Sequence, residues 1–184
     1  MHSAAAEAIN VLAFWLGEVP PEKRFVRDDA LDAAIKSRFG TLHARLADEV
    51  PDSWRASPER MLAAIIVLDQ FSRNLHRDSP KAWACDPAAL ALTREALSRA
   101  YDEQLTGDQL QFLFMPLMHS ESATDQALSV ALFETIENPV AFDYAKQHKV
   151  IIDRFGRFPH RNAVLGREST PDEIEFLKQP GSSF

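Results

Sequence analysis

An all-α fold is predicted for this chain of 184 residues, and three observations carry the prediction. Apolar residues recur three and four apart in one segment after another, the period of a helix face. Five of the 11 prolines follow a residue that caps helices, at Ser57-Pro58, Ser79-Pro80, Asp86-Pro87, Asn138-Pro139 and Thr170-Pro171. No stretch alternates apolar and polar residues as a half-buried strand does.

Taken in order, Ser3 caps a first helix with Ile9, Leu12, Trp15 and Leu16 on one face, and Gly17 is its expected stop. Val19-Pro20-Pro21 forces an extended link. A long helix starts near Asp28 or Asp29 and keeps Leu31, Ile35, Phe39, Leu42 and Leu46 on one face, straight through Gly40. Ser57-Pro58 opens the next helix, and Ser79-Pro80 and Asp86-Pro87 repeat the device. Leu90, Thr93, Leu97 and Tyr101 line a further face. Leu110, Leu113, Phe114 and Leu117 follow an expected Thr106 cap, with Pro116 placed to bend or end that run. Leu128, Leu132, Phe133 and Ile136 come next. Asn138-Pro139 opens the most regular helix, with Ala141, Tyr144, Ala145, His148, Ile151, Ile152 and Phe155 on its stripe and Gly156 at its end. Pro159 starts a short helix that Gly166 ends, and Thr170 with Glu173 forms a capping box. The expectation is a single domain over 1–184, about seven main helices with short loops, and a flexible tail over 179–184.

Composition narrows the function classes. A net charge of −7 and a pI near 5.3 speak against a general nucleic-acid coat, which needs a basic surface. The lone Cys85 allows no internal disulfide and no cysteine-based zinc knuckle. The longest apolar run, Met61 to Leu68, is far short of a membrane span. Met1-His2-Ser3 brings no basic leader. A cytoplasmic protein without membrane or nucleic-acid partners is expected.

The polar residues that break the helical pattern are the site candidates. Asp69 shares the apolar face of Ile65, so its carboxylate needs donors, either in an ion pair or from the amides of the Ser72-Arg73-Asn74 turn. His119 stands at a helix junction beside Glu121, where an imidazole and a carboxylate suit acid/base work. Ser120 or Ser122 with Asp125 reads as the cap and first turn of the following helix. His148 sits on its helix's apolar stripe. A metal site from His119, Glu121, Asp125 and His148 has no recognised spacing, so neither metal nor cofactor is expected. Arg154-Phe155-Gly156-Arg157-Phe158-Pro159-His160-Arg161-Asn162 threads three arginines and His160 among phenylalanines. Arg157 and Arg161 offer forked donors to Asp69, Glu121 or Asp125, or to an anionic ligand. No P-loop, dinucleotide fingerprint or zinc-protease word occurs.

Three words together are distinctive: LDQFSRN at 68–74, PLMHSE at 116–121 and RFGRFPHRNAVLGREST at 154–170. With them the chain resembles the bacterial family known as domain of unknown function 924, from the first helix to the last. The resemblance implies a tetratricopeptide-like right-handed array of antiparallel helical hairpins, and implies no activity. The matching words mark Gln70, Arg73, Asn74, Gln126, Arg154, Asn162, Gly166, Arg167 and Glu168 beside the residues above. Ser72 departs from them, since the family usually carries proline there.

The resulting site expectation has His119, Glu121 and His160 as acid/base groups. Arg73, Asn74, Arg157, Arg161 and Asn162 hold an anionic ligand, and Asp69, Asp125, His148 and Arg154 form a supporting network. The other reading is a non-catalytic scaffold for a peptide or protein partner, in which the same groups clamp hairpins together. Oligomeric state is left open.

Overall fold

The computed structural model describes residues 3–183, and Met1, His2 and Phe184, parts of the leader and tail expectations, lie outside the described residues. Within them the chain has nine helices and no strand, rather than about seven. Helix α1 covers 4–18, where Ala4–Leu12 continues into a widened turn, Ala13–Glu18. Next come α2, Asp29–Asp48, and α3, 58–75, in which Pro58–Ile66 and Ser72–Leu75 flank a second widened turn, Val67–Phe71. The others are α4, Asp86–Ser98; α5, Asp108–Met118; α6, Ala123–Glu134; and α7, Pro139–Phe155. Two short C-terminal helices raise the count: α8, Asn162–Leu165, and α9, Pro171–Leu177. The apolar period finds long stripes and is too coarse to resolve helices this short.

Helix α3 is the axis of the fold, packed against α1, α2, α4 and α5, while α6 and α7 pair beside α5. Its sequence explains that position, because every residue from Met61 to Phe71 is buried. A helix apolar on all sides needs neighbours on all sides. Phe71 closes the aromatic centre, with ring centroids 5.4 Å from Trp15, 5.1 Å from Phe39 and 6.2 Å from Phe14.

Most helix starts follow the expected caps. Ser3, Ser57, Ser79, Asn138 and Thr170 each accept a backbone N–H from the turn they open. Thr170 and Glu173 complete the capping box. Two starts differ. Asp86 is the first residue of α4, behind Cys85, and its carboxylate leaves capping to bind arginines. At α5 the cap position falls on Gly107, and the Thr106 N–H is taken by Gln109 Oε1. Pro116 lies in the last full turn of α5, which ends two residues later at Met118. Gly156 closes α7 at φ 69°, the left-handed region that glycine enters without a Cβ clash. In the expected tail, Ser182 is buried and its hydroxyl donates to Leu177 O.

Candidate functional site

The widened turn in α3 presents the central polar group. An extra residue per turn inside an α-helix re-aims the side chains that follow, and such turns are frequent at functional sites. Here it carries Asp69 and Gln70, both buried. Asp69 Oδ1 meets His119 Nδ1 at 2.7 Å and the Arg73 guanidinium at 3.2 Å. Asp69 Oδ2 accepts from Gln70 Nε2 at 2.6 Å. Side chains thus satisfy the carboxylate, and the 72–74 segment that was a candidate amide donor is itself helical. Arg73 also donates to both oxygens of Asp86, at 2.9 and 3.1 Å.

Burial alone would raise the Asp69 carboxyl, but Arg73, His119 and Gln70 outweigh it and hold Asp69 well below the usual carboxylate range. Asp69 is therefore an acceptor only. Burial, reinforced by Arg73, pushes His119 down against the opposing pull of Asp69, so the imidazole is neutral near pH 7. A neutral ring facing a carboxylate through Nδ1 must carry its proton there, which leaves the Nε2 lone pair uncommitted.

His119 is held from behind. Gln126 Nε2 donates to Met118 O at 2.7 Å and to Ser120 O at 2.8 Å, fixing the backbone on either side of the histidine. Arg161 NH2 donates to His119 O at 3.0 Å. Its other terminal nitrogen reaches Asp86 at a long 3.4 Å, and its Nε is buried with no acceptor among the described residues. The guanidinium lies over Phe158 at 4.6 Å and Trp83 at 5.5 Å. Burial lowers Arg161 to about 10, with Asp86 opposing and Arg73 adding to the drop; it remains a cation at neutral pH.

A cavity of about 1010 Å³ opens over this group, and His119, His148, His160 and Arg161 share its wall with Gln70, Arg73 and Asn74. Burial, then His119, pushes His148 down to about 3, and burial, then Arg161, pushes His160 down to about 4. His148 Nδ1 meets Tyr144 O at 2.8 Å, and its ring lies 6.2 Å from that of His119. Asn74 donates to Asp32, which also receives two nitrogens of Arg77.

The remaining candidates lie elsewhere. Arg157 grips Glu173 through Nε at 2.7 Å and NH2 at 2.8 Å, away from Asp69 and from the cavity lining. Asn162 is fully buried and joins Ser169, Glu173 and Arg167. Glu121 accepts the Phe158 N–H and a two-pronged bond from Arg167. Arg167 and the Phe158 amide outweigh burial and lower its carboxyl. These groups clamp the C-terminal segment, and Arg157 lowers Glu173 to about 2. Arg154 lies over the rings of Phe155 and Phe176. Asp125 is buried against Arg94 and Ser120. Among the described residues, no three His, Cys, Asp or Glu side chains are grouped to hold a metal.

Four participants are not marked as site residues by the sequence pattern. Asp86 reads locally as a cap. Arg77 carried a usable signal, since it continues the spacing of four from Asp69 and Arg73. Arg24 and Arg27 reach the cavity from the 19–28 link, which has no periodicity to read. Ser72 puts its hydroxyl on Leu68 O at 2.5 Å, so the 2.7 Å contact with His43 Nε2 is a bond donated by the ring.

The buried histidines make stability depend on pH. Unfolded histidine titrates near 6.5. Below that value the unfolded chain takes up protons that folded His148 and His160 refuse until about 3 and 4. Stability is therefore full above pH 6.5 and falls as pH drops, at a limiting slope of about 1.4 kcal/mol per unit per histidine. Urea midpoints between pH 7 and 4.5, where most carboxylates still stay charged, are expected to show this slope, and His148→Leu is expected to make it shallower.

The fold and the cavity define a class: an all-helical protein with a buried Asp–His pair opening into a cleft rich in imidazole and guanidinium. A family model described as a bacterial protein of unknown function (DUF924) matches residues 11–181, and the chain belongs to that family. It is also similar to a solved structure, a protein of unknown function, ATU0120, from Agrobacterium tumefaciens. The two are 35% identical, the match covers 95% of this chain and 98% of that one, and the TM-score is 0.90. No curated protein matches the chain.

Proposed function

We propose that the cleft binds a small anionic ligand and sets it against His119 as a general base. One observation carries this reading: His119, neutral and held by ionised Asp69 through Nδ1, lines the same cavity as Arg161. Donors for the anion are available at Arg77 NH1 and at the second N–H of the Asn74 amide, neither used by Asp32. The Nε2 lone pair accepts a proton from the ligand or from a water beside it, and Asp69 stabilises the imidazolium that forms. The geometry is that of a base with its orienting carboxylate. His160 is the second acid/base candidate. Glu121, committed to Arg167 and Phe158, acts through the clamp that sets the His160–Arg161 turn.

The tetratricopeptide-like arrangement is part of the same proposal, supported by the consecutive pairing of α4 with α5, α5 with α6 and α6 with α7. A cytoplasmic location is supported by the free, buried Cys85; no helix of the described residues is long and apolar enough to cross a membrane.

A thermal-shift screen of carboxylated and phosphorylated metabolites tests the reading. A binder at 100 times its Kd is expected to add about 2.7 kcal/mol of stability. Arg77→Gln is expected to weaken that binder at least tenfold, whereas His119→Gln is expected to retain binding and lose any proton transfer. A screen in which no anion raises the melting temperature contradicts the proposal.

A further inference from the structure

The cavity has two chemically different zones, and burial separates them. Its floor is polar and buried, with His119, Arg161 and Gln70 all under one-tenth exposed. Its mouth is apolar and exposed, with Phe25 at 56%, Val26 at 52% and Val140 at 65% exposure. Nine large hydrophobic side chains are exposed among the described residues, and four of them line this one cavity, Tyr144 being the fourth. That concentration differs from the single scattered apolar residues that ordinary surfaces carry. The mouth is also preformed. Phe25 stacks on the buried Phe112 ring at 6.1 Å and 15°, and the Arg27–Asp78 ion pair at 3.2 Å ties its loop to the turn after α3. Between floor and mouth, Met115 and Met118 supply pliable thioether walls.

Charge on the floor limits the headgroup. Arg73 and Arg161 face Asp69 and Asp86, so two cations already meet two carboxylates. With no excess of positive charge, the cleft holds one added negative charge on the unused Arg77 and Asn74 donors at less cost than two.

We infer that the ligand of this cleft is an amphiphilic monoanion, a carboxylate carrying an acyl or aryl body, with its head on Arg77 and Asn74 beside the polar floor and its body against Phe25, Val26 and Val140. The inference rests on the anion-binding reading above and adds the class of ligand.

Calorimetric titration of the full chain with acetate, butanoate, hexanoate and octanoate, alongside inorganic phosphate and octan-1-ol, tests it. Affinity is expected to rise from butanoate to octanoate by up to roughly fourfold per methylene, the factor set by burial of one CH2. Octan-1-ol, which lacks the charge, and phosphate, which lacks the body, are both expected to bind at least tenfold more weakly than octanoate. The double variant Phe25→Ser/Val26→Ser is expected to flatten the chain-length dependence, while binding by the wild-type chain alone already decides the question. If acetate or phosphate binds as tightly as octanoate, the amphiphile inference falls and the anion site stands. If octan-1-ol matches octanoate, or if no anion binds, both fall.

Discussion

Replacing Asp69 by alanine is expected to destabilise the fold by about 3 to 5 kcal/mol, the cost of breaking a buried charge pair from one side. Three donors lose their acceptor at once: His119 Nδ1, Gln70 Nε2 and one contact of Arg73. Arg73 keeps Asp86 and the Asp69 carbonyl, which holds the loss toward the lower end of the range. In a domain of this size the effect is roughly 10 °C in Tm. Asp69→Asn keeps the shape and one acceptor, so it is expected to cost about 1 to 3 kcal/mol, the penalty of a buried polar group left poorly matched. Urea unfolding of both variants checks the order. Equal stability of Asp69→Ala and wild type contradicts the hub.

Phe71→Ala is expected to cost a similar 3 to 5 kcal/mol, for a different reason. The ring is fully buried and touches three other aromatic rings, so its removal leaves a cavity at the crossing of α1, α2 and α3. Phe71 also ends the widened turn that presents Asp69 and Gln70. Its loss is expected to disorder the site as well as the core, and ligand binding is expected to fall even where the variant remains folded. Phe71→Leu, which refills much of the volume, is expected to recover more than half of the stability. Thermal unfolding with and without octanoate separates the two effects.

Much of the helical order was legible in the residues. Capping side chains and prolines act locally, and so the starts of α3, α7 and α9 follow from adjacent residues alone. The long α2 crosses Gly40 because its apolar stripe outweighs the propensity of one glycine. The widened turns in α1 and α3 were not legible. They arise when packing forces an extra residue into a turn, and no local residue type announces them.

The site was legible in part for the same reason. Asp69 stood out as an acid on an apolar face, and its meeting with His119, 50 residues away, brings two anomalies to one place. Arg157 and Arg161 have the same side chain and sit four apart, yet only Arg161 turns toward His119. Arg157 is captured by Glu173, a partner read from the sequence only as the end of a capping box. The choice between them depends on where α9 docks, which is a tertiary fact. Asp86 shows the converse, since a residue that looked fully explained by capping was free to serve Arg73.

The state of His119 at neutral pH is the claim on which the cleft chemistry depends, and nitrogen-15 NMR of the imidazole measures it directly. The expected result is a neutral ring with its proton on Nδ1 and a bare Nε2, whose resonance shifts when octanoate is added. A ring protonated on both nitrogens at pH 7, or one carrying its proton on Nε2, contradicts the account.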